Sequence, residues 1–210
     1  MIYLDYAATS PVRREVLEEM LPYFSEQFGN PDSLHAVGRR AALALRTARD
    51  RIAAVLGVKS SEVYFTSGGT EADNWAVLGI ARERGGRVLL SPIEHDAMLA
   101  PVARGREHVF CRVGADGERR CPNISHLTFE HGGTAFTDIL DLAGVACSRG
   151  AACSSHSAKP SHVLMAMGRS AEESLRGVRF SFGIQTSEKD AADAAQIVIE
   201  SYRKFKGGIS

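Results

Sequence analysis

Glu62-Val63-Tyr64-Phe65-Thr66-Ser67-Gly68-Gly69-Thr70-Glu71-Ala72-Asp73-Asn74 is the stretch whose reading decides the fold. Val63 to Thr66 are aromatic or β-branched, so Glu62 to Thr66 is predicted as a strand. Ser67-Gly68-Gly69-Thr70 breaks that pattern, and a helix is predicted from Glu71 to Arg84. The apolar run Arg87-Val88-Leu89-Leu90-Ser91 predicts a second strand. Strand, tight loop, helix and strand make a βαβ unit, the building block of an α/β domain with parallel strands. The loop sets free backbone N–H groups and the Thr70 hydroxyl at a helix N-terminus, a geometry that holds phosphate. The same residues also serve as plain turn chemistry. Glu94-His95 follows the second strand and puts an imidazole where open α/β sheets bind ligands; a surface or hydrogen-bonded histidine is the alternative.

Upstream, residues 1 to 10 read as a short strand and a turn. Ser10-Pro11 predicts an N-cap followed by proline at the first helical position. Val12, Val16, Leu17, Met20, Leu21 and Phe24 then recur at helical spacing as a core-facing stripe. Phe28-Gly29-Asn30-Pro31-Asp32-Ser33 is a turn, and a second helix runs from about Ala36 to Leu56, stopping at Gly57.

Downstream of Pro101 the character changes. A junction near residue 105 divides the chain into 1–105 and 106–210. In the second part, His108 to Val113 and Ile124 to Phe129 read as strands joined by a polar turn, Ala115-Asp116-Gly117. Phe136 to Leu142 is a helix and Val145-Ala146-Cys147 a short strand. Pro160 starts a helix through Met167, and Val178 to Phe182 alternates as a strand. Ser187 caps a last helix from Glu188 to about Lys206 that buries Ala191, Ala195, Ile197, Val198 and Tyr202. This half reads as an α+β unit.

Between the short strand and the Pro160 helix lies Ser148-Arg149-Gly150-Ala151-Ala152-Cys153-Ser154-Ser155-His156-Ser157. Small and hydroxyl residues surround one thiol on a loop. Turn N–H groups and serine hydroxyls there can stabilise a thiolate, and Arg149 and His156 add positive charge, so Cys153 is the candidate nucleophile. An inert thiol in a flexible loop is the alternative reading. A metal or iron–sulfur site is a third, since Cys147, Cys153, His156 and His162 are suitable ligand types. Their C-x5-C-x2-H-x5-H spacing matches no standard site, and no metal is assigned.

The chain has 210 residues, 44% of them hydrophobic, which suits a globular fold. Lys plus Arg and Asp plus Glu are 25 each, so zero net charge argues against a nucleic-acid surface or an anionic-membrane binder. No apolar run reaches the length of a membrane span, and Met1-Ile2-Tyr3-Leu4 does not open like a signal peptide. Four cysteines (Cys111, Cys121, Cys147, Cys153) are too sparse for a disulfide framework and suit a reducing compartment. The expectation is a cytoplasmic protein with a small-molecule ligand.

Tyr3-Leu4-Asp5-Tyr6-Ala7-Ala8-Thr9, Phe28-Gly29-Asn30-Pro31, Phe65 to Asn74, Glu94-His95, Gly150 to Ser155, Pro160-Ser161-His162-Val163-Leu164 and Val178 to Gly183 occur in the order seen in the cysteine desulfurases. The chain resembles that family from residue 1 to about 100 and from about 106 to 205. The resemblance implies a fold-type I pyridoxal-phosphate (PLP) enzyme: a truncated large domain with a βαβ unit, followed by a C-terminal α+β small domain. Family members move sulfur from L-cysteine onto an enzyme thiol, release alanine, and pass the persulfide to iron–sulfur scaffolds or tRNA-modifying enzymes. By that resemblance Gly69 and Thr70 hold the cofactor phosphate and His95 stacks on the pyridine ring. Cys153 forms the persulfide, Arg179 pairs with the substrate carboxylate, and Asn30 lies near it.

The chain departs from the family between His95 and the C-terminal domain. The aspartate that pairs the pyridine nitrogen and the Ser-x-His-Lys segment of the Schiff-base lysine are missing. The lysines are Lys59, Lys159, Lys189, Lys204 and Lys206, none in such a context, which counts against autonomous PLP turnover. A shortened sheet also leaves an unpaired edge that calls for a partner, and family members are homodimers. The alternative function is a non-catalytic remnant that oligomerises or binds a family partner.

Overall fold

The computed structural model describes residues 1–103, 108–111, 121–150 and 159–208, save the side chains of residues 81 and 82. The chain falls into two compact units, Pro11–Asp73 and Met1–Ser10 with Asn74–Ser210.

In the smaller unit, α1 (Arg14–Met20) and α2 (Pro22–Ser25) follow the first turn. The N-cap of α1 is Arg13 rather than Ser10; the Ser10 hydroxyl donates instead to the Tyr6 carbonyl. The stripe expected to be buried is exposed, Phe24 most of all at 73%. Its continuity is broken at Leu21, where Pro22 restarts the helix without an N–H to give. Helix α3 (Ala36–Leu56) has the expected bounds. His35 Nδ1 accepts from Gly38 N at 3.2 Å, and Gly57 closes it in the left-handed region at φ +69°. A Cβ at Gly38 would sit 2.3 Å from the Ser33 carbonyl oxygen, so this glycine lets α3 dock on the Asn30–Ser33 turn.

Residues 63–66 form no ladder among the described residues. Val63 is extended, but its carbonyl accepts from Arg49 Nε at 3.2 Å, and the Arg49 guanidinium lies 5.2 Å from the centroid of the Phe65 ring. Strand propensity is spent on packing against α3 when no strand supplies the hydrogen bonds. Helix α4 (Gly69–Arg84) follows.

In the larger unit, β2 (Val88–Leu90) pairs in parallel with β3 (His108–Phe110), and α5 (Asp96–Ala103) lies between them in sequence. A βαβ unit therefore exists one step later than expected. Among the described residues His108–Phe110 and Ile124–Thr128 do not pair with each other as expected: β3 pairs with β2, and Ile124–Thr128 pairs with Gly177–Ser181. Val77, Leu90 and Val102 from α4, β2 and α5 make its buried core.

The second core of this unit gathers both ends of the chain. β1 (Ile2–Tyr3) pairs in parallel with β5 (Val145–Ala146), and β4 (Ile124–Thr128) pairs antiparallel with β6 (Gly177–Ser181). Bridges Asp5↔Ser181 and Ser148↔Arg179 connect the two ribbons. Helices α6 (Thr134–Leu142) and α9 (Glu188–Gly207) cover this sheet with Phe136, Leu140, Ala194 and Val198 against Leu4, Val145, Val178 and Phe180. Ala194, not Ala195, faces inward on α9, in register with Val198 and Ser201 at helical spacing. Short helices α7 (His162–Ala166) and α8 (Ala171–Leu175) lead back into β6.

Candidate functional site

Arg179 stands in the middle of β6. Its backbone N donates to the Ser148 carbonyl at 2.7 Å, and Ser148 N donates to the Arg179 carbonyl at 3.2 Å. Having exchanged both backbone bonds on that side, Arg179 faces His126 on β4 as the closer, non-hydrogen-bonded kind of cross-strand pair. Its guanidinium Nη2 meets Asp5 Oδ1 at 2.8 Å, with the two side chains 12% and 18% exposed. Asp5 Oδ2 accepts from the Ser148 hydroxyl at 2.8 Å.

The strand register explains why these three meet. Leu4 accepts from Ser181 N at 2.8 Å, and Tyr6 N donates to the Ser181 carbonyl at 3.3 Å. Asp5, between them, is thereby held beside the end of β6. Arg179 Nε and His126 Nε2 are buried and have no hydrogen-bond partner among the described residues. Burial, reinforced by Arg179 and then Arg169, holds the His126 imidazole below its ordinary pKa and keeps it neutral.

Ser148 also opens the loop segment that carries Cys153. Gly150 has φ +50°, and a Cβ there would lie 3.0 Å from Ser161 Cβ, so the backbone at Gly150 runs close against Ser161. Ser161 is buried, and its hydroxyl caps α7 by accepting from Leu164 N. The next residue, His162, donates from Nε2 to the Glu94 carbonyl at 3.1 Å. That bond ties the base of the loop to the segment holding His95. Cys153 itself lies in 151–158, outside the described residues, as does His156 of the metal reading. Among the described residues no group of three His, Cys, Asp or Glu side chains is placed to hold a metal. Cys147, one residue before Ser148, is pushed up to about 12 by burial and then by Asp5 and Asp141, which keeps it a neutral thiol.

His95 is exposed and starts α5, where its Nδ1 accepts from Ala97 N at 3.1 Å. Asn30 folds on its own turn, with Oδ1 accepting from Asp32 N at 3.0 Å. Gly69 and Thr70 are the first residues of α4, which starts two residues before the expected Glu71. They are exposed, and a Cβ at Gly68 or Gly69 would meet nothing within 4 Å. Glu71 Oε2 accepts from Ser67 N at 2.6 Å and from its hydroxyl at 2.7 Å, which holds its carboxyl below the usual range. Asn30, Gly69 and Thr70 belong to the smaller unit; His95 and Arg179 belong to the larger.

The open turn at the head of α4 suits the phosphate end of PLP. The lysines do not suit its covalent anchorage. All five are exposed. Lys189 Nζ is paired with Asp193 at 2.7 Å and Lys206 Nζ with Glu130 at 3.5 Å. Asp193 holds the Lys189 ammonium above its ordinary pKa, whereas imine formation needs a neutral amine, which burial favours. The exposed lysines thus do not fit the covalent anchor of such a cofactor.

The parallel β2–β3 unit and the antiparallel β4–β6 ribbon belong to a truncated fold-type I PLP-enzyme fold. The class-V aminotransferase family model matches residues 2–113, just over half the chain, and the chain belongs to that family. Cysteine desulfurase IscS of Methanosarcina thermophila is 50% identical over 105 residues, covering 49% of this chain and 26% of that protein. Cysteine desulfurase IscS of Dictyoglomus turgidum is 48% identical over 103 residues, covering 48% and 26%. The chain spans about a quarter of the length of these curated relatives. A solved NifS-like protein superposes with a TM-score of 0.82 at 17% identity, covering 98% of this chain and 99% of that one. The NifS-like protein from Rickettsia africae gives 0.80 at 16% identity, covering 97% and 99%. These structures establish the fold.

Sequence reading did not find Asp5 and Ser148 as partners of Arg179. A lone carboxylate following the apolar Ile2-Tyr3-Leu4 was the available signal for Asp5, since a charge at a strand end near a core needs a counter-charge.

Proposed function

We propose that this chain is a cysteine-desulfurase-like sulfur relay. Cys153 takes the terminal sulfur of a persulfide that originates from L-cysteine and hands it to a thiol acceptor of iron–sulfur or thio-cofactor assembly. The observation that carries this reading is the reciprocal backbone pair between Ser148 and Arg179. It roots the thiol-bearing segment on the residue suited to hold a ligand carboxylate through a planar two-pronged donor.

The chemistry needs no oxidant. The Cys153 thiolate attacks the outer sulfur of a donor R–S–SH. A new sulfur–sulfur bond forms as the old one breaks, and its electron pair leaves with the donor thiolate. The proton stays with the transferred sulfur. Arg179 orients a donor that carries a carboxylate; Asn30, in the other unit, is a separate candidate for that role. By the family resemblance Gly69 and Thr70 are candidates for the phosphate of a PLP-like ligand and His95 separately for its ring, but no step runs through it here because the lysines do not fit its anchor. Residues 1–105 and 106–210 act in this reading as the remnant of the cofactor domain and the thiol-bearing domain.

A second reading, an oligomerising or partner-binding module, is favoured by the exposed apolar stripe of α1 and α2. Both readings take the protein to be a homodimer or higher oligomer in the cytoplasm. Among the described residues no helix is long and apolar enough to cross a membrane.

The test is to incubate the purified chain with PLP and L-cysteine and assay alanine and sulfide. The relay reading expects neither product. Formation of both at a catalytic rate would show an autonomous desulfurase and contradict it.

A further inference from the structure

We propose that Asp5 is a built-in competitor for the carboxylate site at Arg179, a positioning residue that sets the affinity and selectivity of that site. The inference rests on the reading of Arg179 as the carboxylate-binding residue given above. Asp5 occupies the guanidinium incompletely. Its Oδ1 meets Nη2 at 2.8 Å, while Nε of the same side chain is buried without a partner among the described residues. A carboxylate lying side-on takes Nε and one terminal nitrogen together and satisfies the donor that Asp5 leaves orphaned.

Asp5 cannot turn to do this itself, because its other oxygen accepts from the Ser148 hydroxyl at 2.8 Å. Ser148 is in turn pinned to Arg179 by two backbone hydrogen bonds. The same tether makes displacement reversible: when Asp5 yields Arg179, it keeps Ser148 as a partner and is not left as a bare buried charge. A single-toothed internal ligand thus guards a fork that prefers a two-toothed one. The device selects flat two-oxygen acceptors and rejects amides and esters, which cannot match the fork.

The experiment is calorimetric titration of the full chain with L-alanine, which carries the carboxylate without a reactive thiol, and with L-alaninamide as control. Asp5→Asn removes the charge of the competitor, and L-alanine is expected to bind at least about tenfold more tightly. Ser148→Ala frees Asp5 to grip the fork with both oxygens, and L-alanine is expected to bind more weakly than to the parent chain. These shifts of opposite sign are something a purely structural role for Asp5 would not produce. L-Alaninamide is expected to bind none of them.

Binding that depends on Arg179, tested by Arg179→Gln, but ignores both substitutions overturns this inference and leaves the carboxylate reading standing. Binding to none of the chains overturns both. If Asp5→Asn does not fold, Ser148→Ala decides alone, and unchanged or tighter binding to it overturns the proposal.

Discussion

Asp5 and Arg179 are 174 residues apart in sequence and meet at 2.8 Å across the sheet. This one pair fastens the N-terminal segment to β6, the last strand of the larger unit, and through Ser148 it also fastens the root of the thiol-bearing segment. Removing Asp5 leaves a largely buried guanidinium without its acceptor. Asp5→Ala is therefore expected to cost about 3 kcal/mol, read as a lower urea midpoint at unchanged slope. Asp5→Asn keeps an acceptor and costs less. A loss under about 1 kcal/mol for the alanine variant, the range of surface pairs, would show that the pair is not integral to the fold.

His126 is neutral in the folded chain because burial and Arg179 depress its pKa below 6.5. A depressed group binds its proton later in the fold than in the unfolded chain. Its stabilising contribution is therefore present above 6.5 and is lost as the pH falls below that value. The urea midpoint should drop on acidification from neutral pH, and His126→Phe should flatten that part of the curve. An identical acid slope in the variant would assign the effect to other groups.

Cys147 has the opposite sign. Its thiol rises from 9.0 to about 12, so the neutral form is favoured in the fold. The stability this provides is complete below 9.0 and disappears as the pH climbs towards about 12. Cys147→Ala should remove that alkaline component. At mildly alkaline pH iodoacetamide should label the exposed Cys111 and Cys121 and spare Cys147 until the chain unfolds. Prompt labelling of Cys147 in the native protein would refute its packing against the core cluster of Leu4, Val145 and Val178.

Gly183 follows β6 directly beneath Tyr6, and a Cβ there would fall 2.1 Å from Tyr6 Cδ1. Tyr6 is not free to retreat, since its N–H is bonded to the Ser181 carbonyl and its ring meets Tyr3 at 5.1 Å. Gly183→Ala should cost about 1–3 kcal/mol. Gly207→Ala, with nothing within 4 Å of the new methyl group, should cost nothing measurable. Equal midpoints for the two variants would contradict the close approach of Tyr6.

Much of the helical framework was legible in the sequence because its signals are local. α3 carries its own stop at Gly57, and α9 its own start at Ser187, which forms a capping box with Asp190. What could not be read was long-range pairing. Glu62–Thr66 has strand composition but no ladder among the described residues, and His108–Phe110 joins β2 in place of the nearer Ile124–Thr128. Strand partners are chosen by burial across the whole unit, which no local window contains. The site divides the same way. Arg179 was named from the family resemblance, whereas its partners Asp5 and Ser148 depend on a register between β1, β5 and β6 that only the folded chain displays.

The central claim is that Cys153 accepts and passes on sulfur without cofactor turnover. The most direct measurement is mass spectrometry of the reduced chain after exposure to glutathione persulfide, with the modified peptide identified. The account predicts one added sulfur atom on Cys153, released by a thiol acceptor and absent from Cys153→Ser. An unmodified Cys153, or sulfur spread indifferently over Cys111 and Cys121, would contradict it.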